Sequence, residues 1–408
     1  MDTSLFAFAT DLEGEGLETV LGNIQERAGA GGITFAAVYH EARDLFPHNP
    51  RGRLRFLEPG VCYFHPDPSL YRGLAIQPRV SSLVRDEDVL AGLVGSAVGR
   101  GMAVHAWTVF LHCDWARDGR PEHAERTAFG DPCLTELCPA NPDVRAYVRA
   151  LSTDIARHGV QTIVAESLHY HPLEHGYHHE RYFLHLGAHT RFLLDLCFCE
   201  HCVAGARAAG VDGTAVQRWA RNEIQRVFDG GEDASEELGE AEARALAGGE
   251  LGGYLDARAD AVASLVADAS AAAAEEGAAF AFLDASGAIK GYADGQPAGG
   301  PAAEIAWRLG VDPGAVAKAC GRLEAIAYAA DPDRVRLDLE AYRALLPQDG
   351  SLSAAMRPTL PDCDSTENLA EKLRLARELG LERVDLYHYG FAPLATLDRV
   401  REAIESAH

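Results

Sequence analysis

Apolar and polar positions along this chain group into eight short runs rich in β-branched and aromatic residues, most of them separated by stretches with helical spacing. The runs are Leu5–Thr10, Ile33–Tyr39, Met102–Val109, Thr162–Glu166, Ala279–Asp284, Leu323–Tyr328, Ser351–Met356 and Arg383–Tyr389. They are continuous rather than strictly alternating, the pattern of parallel strands covered on both faces. Asn141-Pro142 reads as an N-cap followed by proline at the first helical position and opens a helix over Pro142–His158. Leu369, Leu373, Leu375 and Leu379 mark a helix over Thr366–Leu379, with Gly380 as its stop. The alanine-rich run Leu255–Gly277 reads as the helix returning to strand five. Strand and helix alternating eight times predict an α/β fold, a (β/α)8 TIM barrel over residues 1–408 as a single unit. The alternative is a doubly wound sheet. Against it, Gly29-Ala30-Gly31-Gly32 precedes a strand instead of following one, so it is a turn and not a dinucleotide fingerprint.

Two connections are long. Residues 40–101, after strand two, are rich in proline and aromatics. The insertion after strand four, residues 167–255, carries a histidine-rich loop, a cysteine motif, a helix and the acidic linker Gly230–Glu237, which is expected to be a solvated, mobile segment.

Composition narrows the partners. A formal net charge of −24 repels nucleic acid and anionic membrane, both of which need clustered Lys and Arg. No run of 18 apolar residues predicts a transmembrane helix. The N-terminal Met1–Phe6 has no basic n-region, so a cytoplasmic location is expected. Nine cysteines in such a chain favour metal binding or inert burial over disulfides. A small neutral or cationic molecule is the natural partner.

The cysteine pattern is Cys197-Phe198-Cys199-Glu200-His201-Cys202, preceded by Cys138 in Cys138-Pro139-Ala140-Asn141-Pro142. Four thiolates suit a closed, tetrahedral structural zinc site, with Cys113 and Cys133 as alternative fourth ligands. The other reading of these residues is a set of buried free thiols. In a TIM barrel, polar residues at the carboxyl ends of the strands are candidates for catalysis. Here those ends offer a region near Asp11, Tyr39-His40, Trp107, Glu166, Asp284, Tyr328, Arg357 and Tyr387-His388-Tyr389. Two carboxylates facing one pocket are the minimum for glycoside hydrolysis, which makes Glu166 the candidate general acid/base and Asp284 the candidate nucleophile or second base. Trp107, Tyr387, His388, His40 and the loop bearing His169, Tyr170, His171, His175 and His178 are the candidate sugar-binding residues, and Arg357 a candidate clamp for a negative group. The same histidines suit a catalytic metal, although no His-Glu-x-x-His helix is present.

Cys138–Pro142, Glu166 and the Cys197–Cys202 triplet together resemble glycoside hydrolase family 42 β-galactosidases and allied glycosidase-like barrels, over roughly residues 100–210. The resemblance implies that Cys138, Cys197, Cys199 and Cys202 bind zinc, that Glu166 is the acid/base at the end of strand four, and that the chain forms a homo-oligomer acting on a small-molecule carbohydrate. The family places Asn before its acid/base, where this chain has Ala165. It places its nucleophilic Glu at the end of strand seven, where this chain has Met356-Arg357-Pro358 and no carboxylate before Asp362. Glycoside hydrolase-like chemistry is therefore the first expectation. A metal-dependent lyase or isomerase on a sugar-like substrate, and a non-catalytic sugar-binding barrel, are the alternatives.

Overall fold

The computed structural model describes residues 1–84, 86–113, 120–173, 181–233, 235–289 and 294–407. Eight parallel strands close on themselves: β1 (Asp2–Ala7), β2 (Gly32–Tyr39), β3 (Ala103–Val109), β4 (Thr162–Glu166), β5 (Ala279–Asp284), β6 (Arg322–Ile326), β7 (Ser351–Met356) and β8 (Arg383–Leu386). Closure is direct, because Leu5 of β1 pairs with Leu386 of β8 on one side and with Ile33 of β2 on the other. This is the expected (β/α)8 TIM barrel. A short antiparallel segment, Val61–Cys62, adds to the upper end of β2.

The helices form where local chemistry starts and stops them. Asn141 accepts from the backbone N–H groups of Asp143 (2.9 Å) and Val144, and Pro142 follows it, so the helix Pro142–Arg157 has its first donors satisfied. Ser365 caps the helix Thr366–Glu378 in the same way, and Gly380 ends it at φ +67°. The helix Glu250–Glu275 buries Leu251, Tyr254, Leu255, Arg258, Val262, Leu265, Val266 and Ala269, the three-and-four spacing of one face laid on the barrel.

Strand one departs from expectation. It ends at Ala7, and the chain turns at Phe8 into a helix over Ala9–Glu15. Asp11 is buried inside that first turn, its Oδ2 accepting the Phe8 N–H at 2.8 Å, so it is a helix-start residue and not a strand end. The acidic linker also departs. Asp233 is buried and accepts from the backbone N–H of Thr190 (2.9 Å) and its hydroxyl (2.5 Å), while the Ser235 hydroxyl accepts from His189 N–H (3.0 Å). These bonds satisfy free donors at the start of the helix Ala188–Leu194 and pin the segment to it. Gly187 leaves the room: a Cβ there would meet Asp233 Oδ1 at 2.3 Å.

Alternation along the strands stacks the barrel interior in two levels. The lower level is polar: Ser4, Thr34, His105, Glu324, Arg383 and Asp385 are all buried. Arg383 donates to Asp385 Oδ2 at 2.5 Å and to Glu324 Oε2 at 2.9 Å. One guanidinium thus faces two carboxyls, and burial, followed by the charge of Asp385, raises the Glu324 pKa. A raised folded pKa means that stability is fully present below the ordinary glutamate range and is lost as pH rises through the folded value. Glu324→Gln is therefore expected to gain on the wild type as pH rises from about 4.5 to about 8 and to keep that gain above it, read as a flatter fall of the melting temperature over that window than in the wild type.

Candidate active site and cysteine cluster

Two residues above the polar level, the same strand faces become aromatic. Ser4 is followed by Phe6, His105 by Trp107, Glu324 by Ile326 and Asp385 by Tyr387, and these upper residues line a cavity of about 180 Å3 at the carboxyl end of the barrel. Glu166, Ser167, His169 and His171 complete the wall from β4 and its loop, with Leu283 and Ala285 from β5 and Tyr328 after β6.

Glu166 is the one carboxylate lining this cavity among the described residues. Trp107 Nε1 donates to its Oε2 at 2.5 Å. Burial raises the Glu166 pKa, opposed by the Trp107 hydrogen bond and the charges of His112 and His171. A carboxyl in apolar surroundings that keeps its proton is the state a general acid needs. Ser167 follows at φ +55°, a left-handed conformation that a non-glycine residue holds only when its surroundings impose it. The Leu111 N–H bonded to the Ser167 carbonyl at 3.1 Å is part of that restraint.

Of the residues expected to bind sugar, Trp107, Tyr387, His169 and His171 line the cavity. His388, His40 and Tyr170 do not. His388, which follows Tyr387 just beyond β8, is outside the cavity wall; it packs between Phe8 and Phe391 at 4.3 and 4.6 Å, and its Nδ1 accepts the Gly390 N–H. Burial holds it well below the usual histidine range, so it is a neutral packing ring. His40 stacks on Tyr39 at 4.2 Å and bonds the Glu41 carbonyl through Nδ1, outside the cavity wall. Tyr170 is buried against the cysteines, with Arg258 over its ring at 4.4 Å. His175 and His178 lie outside the described residues.

Asp284 and Arg357 require correction. Leu283 and Ala285 face the cavity, so Asp284 between them faces the helices. Its Oδ1 accepts from the Ser286 N–H and hydroxyl at 2.9 and 2.6 Å, and its Oδ2 from the Tyr342 hydroxyl at 2.8 Å. It is a structural acceptor and not the partner of Glu166. Asp284→Ala is expected to cost roughly 1–3 kcal/mol by orphaning those donors, read by denaturant unfolding, while turnover at the cavity persists in the folded fraction. Arg357 forms a two-point ion pair with Asp362 at 2.6 and 2.7 Å and covers the Tyr328 ring at 4.6 Å. Its charge is taken up by Asp362, which removes the anion-clamp role.

Cys138, Cys197, Cys199 and Cys202 converge, all buried. Cys138 Sγ lies 3.4 Å from Cys199 Sγ, 3.5 Å from Cys202 Sγ and 3.9 Å from Cys197 Sγ. A tetrahedral ion with bonds of about 2.3 Å sets its sulfurs about 3.8 Å apart, so the group could hold a metal. Arg126 N–H approaches Cys197 Sγ at 3.3 Å, and Cys199 stands at the N-cap of the helix Glu200–Ala208. Both features favour thiolate. Cys113 and Cys133 are not in the group, and all nine cysteines are free of disulfides. The Tyr170 hydroxyl lies 3.3 Å from Cys202 Sγ, which ties the cluster to the loop carrying His169 and His171.

Several residues near the cavity carry no signal in the sequence. Glu125, Glu136 and His112 come from segments between β3 and the helix Pro142–Arg157 and meet His171 only in three dimensions. Asp44, on the hairpin strand Ala42–Leu45, is pushed up to about 6 by burial; burial also raises Tyr39 and Tyr387, with the charges of Glu166 and Asp44 adding to it. Among the described residues no helix is long and apolar enough to cross a membrane.

No family model and no curated protein matches the chain. Among solved structures it is similar to the β-galactosidase from the psychrophilic Marinomonas ef1, with a TM-score of 0.57 and 11% identity, covering 99% of this chain and 59% of that one. It is also similar to the catalytic domain of the β-amylase from Paenibacillus polymyxa, with a TM-score of 0.51 and 11% identity, covering 98% and 94%. The chain thus spans less than two thirds of that β-galactosidase. Likeness at this identity establishes the TIM-barrel fold and leaves the reaction to the site residues.

Proposed function

We propose that this chain is a carbohydrate-active enzyme that cleaves a glycosidic bond, with Glu166 as its proton donor. The observation that carries the proposal is a single carboxyl with a raised pKa at the end of β4, hydrogen-bonded by Trp107, in an aromatic cavity. Trp107, Tyr328 and Tyr387 offer flat apolar faces to sugar C–H surfaces, and His169 a ring at the same wall. The Glu166 proton passes to the leaving oxygen as the C–O bond breaks. A water oxygen then bonds the anomeric carbon, directly or after a group carried by the sugar has occupied it, and the water's proton restores the carboxyl. With Asp284 turned to the helices, the cavity supplies one acid among the described residues, and Asp284 forms no retaining pair with it.

Zinc in the cysteine cluster completes the proposal. The thiols of Cys138, Cys197, Cys199 and Cys202 would hold it, and with four thiolates it has no open position, so its part is to brace the scaffold. The two similar structures, a β-galactosidase and a β-amylase, bear names consistent with a sugar substrate, and the cysteine pattern resembles family 42. The deciding experiment is a panel of aryl glycosides, neutral and acidic, with release of the aryl alcohol as the readout. Cleavage that is lost in Glu166→Gln supports the proposal; a wild type inactive on every member removes it.

A further inference from the structure

His171 and Pro172 line the cavity holding Glu166 and also a second cavity of about 330 Å3, so they form the wall between the two. Inside that wall lies a group of acids and imidazoles unused by the proposed cleavage. His112 and Glu136 face each other across a short antiparallel bridge, fixed by Cys113 N–H to the Thr135 carbonyl at 2.7 Å and Leu137 N–H to the Leu111 carbonyl at 2.9 Å. Residues opposite one another on a ladder present their side chains together, and His112 Nδ1 sits 2.7 Å from Glu136 Oε1. His171 Nδ1 approaches the other oxygen, Oε2, at 2.8 Å. Glu125 Oε1 stands 3.7 Å from the same Nδ1 and accepts the His171 backbone N–H at 3.2 Å. All four side chains are buried. The Nε2 of His171 is also buried and has no hydrogen-bond partner among the described residues.

We propose that His112, Glu136 and His171, with Glu125 beside them, form a second metal site that takes one divalent first-row transition ion in the wall of the Glu166 cavity. One donor atom from each of the first three lies within 4.8 Å of the others, a spacing a single ion can span. Ligand bonds of about 2.1 Å at right angles set donors about 3 Å apart, close to the 2.7 Å from His112 Nδ1 to Glu136 Oε1 and the 2.8 Å from His171 Nδ1 to Glu136 Oε2. Without metal, imidazolium charge offsets the buried carboxylates; a dication that displaces those protons, set between two carboxylates and two neutral imidazoles, likewise brings the group to zero. Mixed imidazole and carboxylate donors suit zinc, manganese, iron or nickel. Three protein donors leave open positions, the form of a site that meets a ligand and not of a closed structural one. The ion would be met by a sugar hydroxyl or water from the side of the cavity that His171 shares with Glu166. The cysteine cluster braces the group from two directions: Glu136 stands two residues before Cys138, and Tyr170, which contacts Cys202, precedes His171.

Metal uptake is measured without turnover, so its outcome is separate from that of the glycoside proposal. Protein carrying zinc on its cysteines is titrated with Mn2+, free Mn2+ being followed by electron paramagnetic resonance, and in parallel with Co2+. One Mn2+ is expected to bind per chain. A matching Co2+ equivalent should bring weak visible bands and no thiolate charge-transfer band. Glu136→Gln and His171→Gln are each expected to weaken uptake by about 100-fold or more with the zinc content unchanged. Should either variant fail to fold by circular dichroism, His112→Gln is read in its place. No uptake beyond the thiolate-bound equivalent in the wild type, or full uptake in the folded variants, overturns the site.

Discussion

Glu166→Gln is expected to lower kcat and kcat/KM together, by about 10²–10⁴-fold on any aryl glycoside the wild type cleaves, with KM little changed. The amide keeps the size of the side chain and an oxygen to accept from Trp107 Nε1 at the position now 2.5 Å away, so ground-state packing survives and only the transferable proton is lost. A glycoside whose leaving group needs no protonation, such as a dinitrophenyl glycoside, should suffer least, which separates loss of an acid from loss of shape. The same variant carries a stability signature. The Glu166 pKa is raised above its ordinary 4.5, mainly by burial, so the wild type loses stability as pH rises through the folded value, where the carboxylate must be kept charged in apolar surroundings. Gln has no such cost. Thermal melts at pH 5 and pH 8 should show Glu166→Gln gaining on the wild type at the higher pH. Undiminished turnover in a folded variant would sink the acid role.

The eight strands could be read from the sequence because each is a continuous apolar run with β-branched or aromatic residues, and that signal depends on nothing but local composition. The same continuity hides which side chains face inward. In Ala279–Asp284 every residue but the last is apolar, so nothing in the pattern tells that Leu283 faces the cavity and Asp284 the Tyr342 hydroxyl. Tyr387 and His388 were equal candidates because both follow the last strand, and only three-dimensional packing divides them into a cavity wall and a ring held between Phe8 and Phe391. Glu166 was placed because its strand ends at the carboxylate and the cysteines frame its loop. The acidic linker was misread because its charge hid one specific acceptor, Asp233, aimed at the start of a helix more than 40 residues earlier. Arg357 failed as a clamp through a partner five residues on, Asp362, which composition alone could not pair with it. The group of His112, Glu136 and His171 had no linear spacing to find, since its members are joined by a bridge and a loop from different parts of the chain.

Cys199→Ser is expected to be the most destabilising single change, on the order of 4–5 kcal/mol, the range that loss of a bound metal can reach. The substitution isolates the metal from its surroundings. Cys199 is the N-cap of the helix Glu200–Ala208, and serine is among the best residues for that position, so helix initiation is preserved or improved while one thiolate disappears. The three remaining buried sulfurs, with those of Cys202 and Cys197 3.5 and 3.9 Å from that of Cys138, then lose the cation that makes their proximity favourable. Metal analysis should fall from one zinc per chain to a small fraction, and urea unfolding should show a lower midpoint. The effect should also travel: Cys138 anchors the segment ending in Glu136, and Cys202 holds Tyr170 beside His171, so order at the Glu166 cavity depends on the cluster. Loss of turnover should therefore accompany loss of zinc, through a fall in kcat that added Zn2+ does not restore. Cys320→Ser provides the contrast, since that thiol stands outside the cluster and bonds to the carbonyls of Val316 and Arg322; its zinc content should stay at the wild-type level. A wild type isolated without zinc, and a Cys199→Ser protein of unchanged stability, would together reduce the four cysteines to packed thiols.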